Sequence, residues 1–328
     1  MNRPEPIQTK ITEMFNIDYP IIGAPMFLVS NKDMVIASIK SGGMGTFPAL
    51  NFRPIGKYKE VIDEIQKETN HGAFGINIIV QKSNKYQHEQ LDIAIEKEVP
   101  LIITSLGNPK DVIKKTRGTK TKVFCDVVNL AHAKKVAEYG ADGLIVVGSG
   151  AGGHGGETSM FALLPYLKKH IDLPMVVAGC MSDGRSMLSA LSLGADGIYM
   201  GTRLIASEEA QVTQEYKNAI VSAGCDDIVN TDRVDGFPGN FIKTENLIKV
   251  LKPNIVDNVL SQSKRVKRAV SLMRAGRALF GSENLKLSYK NTFSAGHGVG
   301  VIDEILPIES IFWKTAQEYR QLKEKLPN

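Results

Sequence analysis

Short apolar runs rich in Ile and Val recur up to residue 206 and alternate with segments whose charge falls on one side. The runs are Pro20–Met26, Met44–Ala49, Ala73–Val80, Pro100–Ser105, Lys122–Val128, Gly143–Gly148, Pro174–Gly179 and Gly197–Thr202. Continuously apolar stretches of this length suit parallel strands covered on both faces. The segments between them read as amphipathic helices: Lys32–Lys40 behind Ser30-Asn31 as N-cap, Gly56–Glu68, Leu91–Glu98, Ala131–Tyr139 ending at Gly140, and Arg185–Leu193 ending at Gly194. Glycine just past a helix end is a good C-cap.

An internal echo supports this order. EYGADGLIVVG (Glu138–Gly148) and SLGADGIYMG (Ser192–Gly201) share a helix end, the sequence Gly-Ala-Asp-Gly and a strand that ends in glycine. Strict βα repetition with eight strands predicts an α/β fold, a (β/α)8 TIM barrel. A doubly wound sheet would carry a Gly-x-Gly-x-x-Gly turn after an early strand, whereas the first run leads into Gly-Ala-Pro-Met. From Ser207 the pattern changes. Glu208–Ala223, Thr244–Leu251 and Ile255–Phe280 read as helices with no strand between them, and Asp232–Asn240 as a turn-rich loop able to act as a lid. The chain thus divides into a barrel at 1–206, a helical insertion at 207–291, and a return loop with the last barrel helix, Ile308–Glu324, at 292–328.

Composition narrows the class. Of 328 residues, 43% are hydrophobic and 23% charged, ordinary for a soluble globular protein. A net charge of +5 is a mild excess, and no basic block is dense enough to imply nucleic acid. The most basic stretch, Lys264–Arg277, alternates cations with apolar residues, as a solvated helix face does. Cys125, Cys180 and Cys225 have no metal-like spacing, and an odd, sparse count fits a reducing compartment. With no apolar signal core and no membrane-length run, the expected location is the cytoplasm. Nothing in the sequence sets an oligomeric state.

In such barrels the active site lies at the C-terminal ends of the strands, with phosphate often held after strands seven and eight. Gly179 and Cys180 end the seventh run, and Met200, Gly201 and Thr202 the eighth. Their backbone N–H groups suit a phosphate, although the same residues also suit ordinary tight turns. His154 follows the sixth run in Gly-Ala-Gly-Gly-His-Gly-Gly. An imidazole there can exchange a proton with a substrate or orient it; otherwise it is merely solvated. His297 sits in a second glycine-rich loop, Phe293–Gly300. Asn77, an amide inside an apolar strand, needs partners: a heteroaromatic ligand at the barrel mouth, or a neighbouring loop. Thr104 and Ser105 end the fourth run and are candidates to meet a ligand, and Asp126 is a candidate buried carboxylate. Asp183 reads as a helix N-cap, and the cysteines have no activating neighbours.

These motifs carry a resemblance. Pro20–Met26 (PIIGAPM), Gly42–Gly45 (GGMG), Phe74–Asn77 (FGIN), Ala151–Gly156 (AGGHGG), Ala178–Arg185 (AGCMSDGR), Gly194–Arg203 (GADGIYMGTR) and Ser294–Gly296 (SAG) together resemble the nitronate monooxygenase family, FMN-containing (β/α)8 barrels formerly called 2-nitropropane dioxygenases. The resemblance implies that Gly23, Ala24, Pro25 and Met26 pack on the flavin and that Asn77 contacts its isoalloxazine or ribityl part. It also implies that Gly152, Gly179, Cys180, Met200, Gly201 and Thr202 hold FMN, mostly at its phosphate, and that His154 is the active-site histidine. Four positions depart from the pattern. Cys180 replaces a second glycine, which is tolerable if no positive φ is needed. Val147 and Tyr199 replace frequent glutamines, and His297 follows Ser-Ala-Gly where glutamine is common.

The implied activity is oxidation of an alkyl nitronate, or a nitroalkane, with dioxygen to a carbonyl compound and nitrite. Similar chains are FMN-dependent NAD(P)H reductases of quinones or enoyl-ACP, so a reductase is the alternative, followed by a non-redox phosphate-binding barrel. IMP dehydrogenases share the phosphate region but need a Gly-Ser-x-Cys loop, which this chain lacks.

Overall fold

The computed structural model describes residues 2–81, 84–234, 236–251 and 292–326. Eight parallel strands follow the order β1-β8-β7-β6-β5-β4-β3-β2. They are β1 (Ile21–Gly23), β2 (Gly45–Pro48), β3 (Phe74–Ile79), β4 (Leu101–Ser105), β5 (Lys122–Val127), β6 (Gly143–Val147), β7 (Met175–Ala178) and β8 (Gly197–Met200). A parallel bridge from Ile22 to Met44 joins β1 to β2, so the sheet closes into the expected barrel. Each apolar run read from the sequence holds its strand. Between strands lie α2 (Lys32–Lys40), α3 (Ile55–Glu68), α4 (Gln87–Glu96), α5 (Lys110–Thr116), α6 (Leu130–Tyr139), α7 (Met160–Lys168) and α8 (Gly184–Ser192). Side chains cap three of them: Asn31 accepts from Met34 N, Asn129 from His132 N and Asp183 from Ser186 N. Among the described residues no helix is long and apolar enough to cross a membrane.

Alternate strand residues face opposite sides of the barrel wall. Ile102, Cys125, Val146 and Val177 pack outward under the helices, while Leu101, Ile103, Phe124 and Ile145 fill the interior. A preceding helix, α1 (Lys10–Phe15), joins this interior cluster with Ile11 and Phe15, and the Phe15 ring lies 5.8 Å from that of Phe124. It closes the N-terminal end of the barrel, and burying two such side chains stabilises by about 1.5–3 kcal/mol each.

The Gly-Ala-Asp-Gly echo has a physical cause. Asp142 accepts from Val123 N at 2.9 Å, and Asp196 accepts from Met175 N at 2.9 Å. In each copy the aspartate satisfies an N–H at the start of the neighbouring strand and pairs with a lysine, Lys122 or Lys168. Register between β5 and β6, and between β7 and β8, is thereby pinned by the same side chain used twice.

The eighth barrel helix is the last one, α12 (Ile308–Lys325), which packs against α8 and α2. Before it comes a long excursion. The chain leaves at Ser207 and returns at Leu306, and the two form a parallel bridge. Glu209 caps the return by accepting from Ile308 N. The excursion holds α10 (Gln214–Ser222) and α11 (Glu245–Leu251), after the short α9 (Thr202–Ile205). The expectation of no strand here is wrong: β9 (Ile228–Thr231) and β10 (Gly239–Ile242) form an antiparallel hairpin. Ile228 and Ile242 pack into a separate small core with Tyr216, Ile220 and Phe293, while Phe241 packs with Val234 and Leu247, and the turn-rich 232–238 segment joins the strands. The helix expected at Ile255–Phe280 and the basic stretch Lys264–Arg277 lie outside the described residues.

α12 and α8 touch backbone to backbone. A Cβ on Gly184 would fall 2.4 Å from Tyr319 N and 2.7 Å from Thr315 O. Alanine within a helix normally stabilises over glycine by about 0.5–1 kcal/mol. Gly56→Ala, at an open position in α3 with nothing within 4 Å, is expected to show that gain. Gly184→Ala is expected instead to lose about 1–3 kcal/mol as α12 is pushed off. Denaturant midpoints of the two variants check the opposite signs.

Candidate active site

The ends of β1, β6, β7 and β8 share one rim of the barrel. After β1, the Ala24–Met26 turn is held by Ser30, whose Oγ accepts from Met26 N at 2.8 Å and donates to Ala24 O at 3.1 Å. Asn51 Nδ2 donates to Met26 O and Ser30 O. Ala24 N donates to Met200 O at 2.8 Å, fastening this turn to the end of β8. Gly23 lies deeper. Its N–H goes to Met44 O and its carbonyl accepts from Thr46 Oγ1, so its backbone serves the barrel wall.

After β7, Gly179 has φ +117° and Cys180 φ +58°. Cys180 therefore occupies the left-handed region, so the condition for tolerating a cysteine here, that no positive φ is needed, is not met. The conformation costs about 1–2 kcal/mol for a residue with a Cβ. Packing holds it there: a Cβ on Gly150 would fall 2.2 Å from Cys180 Sγ, and one on Gly298 would fall 3.2 Å from Cys180 Cα. Partial burial, with Cys225 nearby, raises the Cys180 thiol pKa, which disfavours the thiolate a nucleophile needs. After β8, Thr202 Oγ1 accepts from Gly296 N at 2.9 Å. Gly201 has φ −109°, and a Cβ there would meet Ala24 Cβ at 3.5 Å, an ordinary contact. Neither backbone conformation nor packing demands glycine at 201. No backbone carbonyl among the described residues accepts from the N–H groups of Cys180, Met181, Gly201 or Thr202.

The β6 loop is built by loop-on-loop packing. A Cβ on Gly152 would sit 2.8 Å from Gly296 N, and one on Gly296 would sit 2.3 Å from Gly150 O. These glycines let two backbones touch, whatever else approaches them. Asn240 on β10 ties the layers together. Its Nδ2 donates to Ala151 O at 2.7 Å and Ser149 O at 3.0 Å, and its N–H and C=O pair with Gly153. Its carbonyl also accepts from Ala295 N, and its Oδ1 from Asn230. His154 projects from this loop and is exposed, its ring 5.9 Å from that of Phe237 in an edge-to-face contact. His297 N donates to Gly150 O, while its Nδ1 is buried with no partner among the described residues.

Inside the barrel mouth, Asn77 Nδ2 donates to Ser105 Oγ at 2.6 Å and Ile103 O at 3.3 Å. Ser105 Oγ donates to Asp126 Oδ2 at 2.5 Å. Burial pushes the Asp126 carboxyl up to about 6, opposed by the Ser105 bond. Asp126 Oδ1 and the Tyr199 hydroxyl are both buried without partners among the described residues. Burial, and then the Asp126 charge, hold the Tyr199 phenol well above its usual pKa, opposed by the nearby Thr46 hydroxyl.

Ala24, Pro25, Met26, Gly152, His154, Gly179, Cys180, Gly201 and Thr202 thus come together on the rim, and Asn77 lies inside it. Thr104 does not join them. Its hydroxyl donates to Cys125 Sγ at 3.2 Å on the outer face, and Ser105 takes the inward position. The Met200 side chain also packs outward, leaving only its backbone at the rim. Asn240 was hidden in the sequence because Pro238-Gly239 reads as a loop; the signal for a hairpin was the pair Ile228–Thr231 and Asn240–Ile242 flanking a turn-rich stretch.

The sequence pattern of the nitronate monooxygenase family matches residues 8–317. A hydroxy-methyl-oxo-octahydroindene-carboxyl-CoA dehydrogenase of Rhodococcus jostii is 30% identical over 241 residues, 73% of this chain and 67% of that one. A probable nitronate monooxygenase of Staphylococcus saprophyticus is 28% identical over 289 residues, 74% of this chain and 81% of its own. The structure of FabK from Thermotoga maritima superposes with a TM-score of 0.83 at 28% identity, covering 97% of this chain and 98% of that one. A closed eight-stranded barrel with a histidine loop over its C-terminal rim, matched by the family pattern nearly end to end, places the chain in the nitronate monooxygenase family of oxidoreductases.

Proposed function

We propose that the protein is an FMN-dependent nitronate monooxygenase. The observation that carries this reading is one rim that offers both backbone N–H groups unpaired among the described residues, at Cys180–Met181 and Gly201–Thr202, and a projecting histidine, His154. The residues fit FMN. A dianionic phosphate needs several N–H donors, which the β7 and β8 turns supply. A glycine at 201 that the protein itself does not require leaves room for a ligand against the backbone. The polar interior, with Asp126 Oδ1 and the Tyr199 hydroxyl lacking partners among the described residues, matches the donor and acceptor edge of an isoalloxazine better than an apolar cavity would.

Bound FMN would supply the redox chemistry, accepting electrons from an alkyl nitronate and passing them to dioxygen, with a carbonyl compound and nitrite as products. The chain's own residues bind and orient. The N–H groups of the two turns would hold the phosphate, and Asn77 would face the ring or ribityl part. His154 hydrogen-bonds the nitronate oxygens, or takes the α-proton when the substrate arrives as the neutral nitroalkane. Phe237, edge-on to His154, narrows the approach and gives an alkyl group an apolar surface. Asn240 keeps the histidine loop in place. A cytoplasmic location accords with the absence of a membrane-spanning helix among the described residues.

The relatives named as dehydrogenases of a carboxyl-CoA support a second reading, an FMN-dependent NAD(P)H reductase with a quinone or enoyl-ACP as acceptor. The two readings differ in what reduces the cofactor. Purified protein is expected to be yellow, with flavin absorbance bleached anaerobically by a nitronate and restored by oxygen. Bleaching by NADH and not by a nitronate would select the reductase, and a colourless protein that takes up no FMN would sink both. His154→Ala is expected to lower kcat/KM for a nitronate by about 10²–10⁴-fold with FMN content unchanged, as read by oxygen uptake. Asn240→Ala removes donors to two loop carbonyls and is expected to cost about 1–3 kcal/mol. Hydrogen exchange of the 149–156 backbone should quicken in that variant.

A further inference from the structure

Asp126 is a buried acid for which the proposed reaction has no use. It ends a directed chain of hydrogen bonds. Ile103 O can only accept, so the Asn77 atom facing it at 3.3 Å is the amide nitrogen. Ser105 gives its single hydroxyl proton to Asp126 Oδ2, so its oxygen accepts from the same Asn77 nitrogen at 2.6 Å. Both amide protons are then spent on the barrel wall. The carbonyl oxygen of Asn77 is the atom left for a ligand, and it accepts only from donors such as an imide N–H or a ribityl hydroxyl. Asn77 is 8% exposed, so it has little freedom to turn over.

We propose that Asp126 is a positioning residue for the flavin: acting through Ser105, it fixes the Asn77 amide so that its oxygen, and not its nitrogen, is offered to the cofactor. This rests on the FMN reading above. The ionised carboxylate can only accept and so enforces the direction of the chain. Once protonated, Asp126 can donate to Ser105, whose own proton is then free to oppose Asn77. The neighbouring strands bring few other titrating groups to it. β4 contributes Ser105, β6 the apolar Ile145 and Val147, and β8 Tyr199, while Cys125 faces the outer layer. Tyr199 stays well above its usual range and Cys125 is pushed up to about 12, so Asp126 alone among them titrates near pH 6.

The test combines FMN titrations of the apo-protein at pH 5 and pH 7.5 with side-chain amide exchange of Asn77 in the apo-protein. The phosphate of FMN titrates in the same range, so the quantity read is the change in Kd of the wild type divided by that of Asp126→Asn. That variant keeps the size and an accepting oxygen but has no charge to lose. The wild type is expected to weaken about tenfold more than Asp126→Asn on going to pH 5, as one pH unit below the carboxyl pKa dictates. At pH 7.5 Asp126→Ala is expected to bind FMN about tenfold more weakly than wild type, with no further loss when Ser105→Ala is added. Its Asn77 amide protons should exchange faster than those of the wild type before any ligand is present. An equal pH response in Asp126→Asn and wild type, or unchanged Asn77 exchange in Asp126→Ala, would overturn the proposal while leaving FMN binding intact. Failure of the wild type to bind FMN at either pH would instead overturn the cofactor reading, and with it the ligand half of this one.

Discussion

The two-residue alternation of the barrel strands governs where chemistry can be placed in this molecule. Each strand residue faces either the helix layer or the closed interior, and a shift of one position exchanges the two. Thr104 and Ser105 are neighbours with similar hydroxyls. The first bonds a thiol in the outer layer, and the second completes a polar chain inside the mouth. Met200 and Tyr199 divide in the same way. Deep in the interior the inward positions are apolar and α1 closes the floor, so polar side chains gather at the upper end, where a ligand can complete their hydrogen bonding.

Above that layer the site is assembled by backbones meeting backbones. The histidine loop and the 294–298 segment approach too closely for side chains at Gly152 and Gly296, Cys180 crowds Gly150, and β10 lies against Gly153. Three irregular segments in contact leave polar backbone groups that need partners. Asn240 satisfies several of them at once with its amide and main chain. The hairpin that follows the barrel is therefore part of the wall around His154. Gly152 beside His154 is explained by this contact, while Gly201 is not.

Much of the barrel was legible because it rests on local patterns: apolar runs bounded by glycine, capping residues at Asn31 and Asp183, and a repeated Gly-Ala-Asp-Gly whose aspartate ties neighbouring strands. The rim was legible for the same reason, since strand ends mark it. What escaped depends on contacts distant in the chain. The facing of Thr104 follows from register with Cys125, not from its own neighbours. The left-handed backbone at Cys180 is accommodated by its close packing against Gly150 and Gly298. β9 and β10 carry a weak signal because Pro238 and Gly239 resemble a loop, and Asp126 shows its partner only once β4 lies beside β5.

The position of α12 has a consequence for how the chain is made. Its apolar face, with Ile308, Ile311 and Phe312, fills the gap between α8 and α2. Trp313 and Arg320 reach back to Ser41 and to Glu5 and Pro6. During synthesis all eight strands emerge from the ribosome before this helix does, and the whole 207–307 segment is translated in between. Until then the groove that α12 will fill faces water, and the nascent barrel presents an apolar surface to whatever it encounters. Completion of the barrel thus comes after completion of the wall around His154, so a chain interrupted before β10 would have neither.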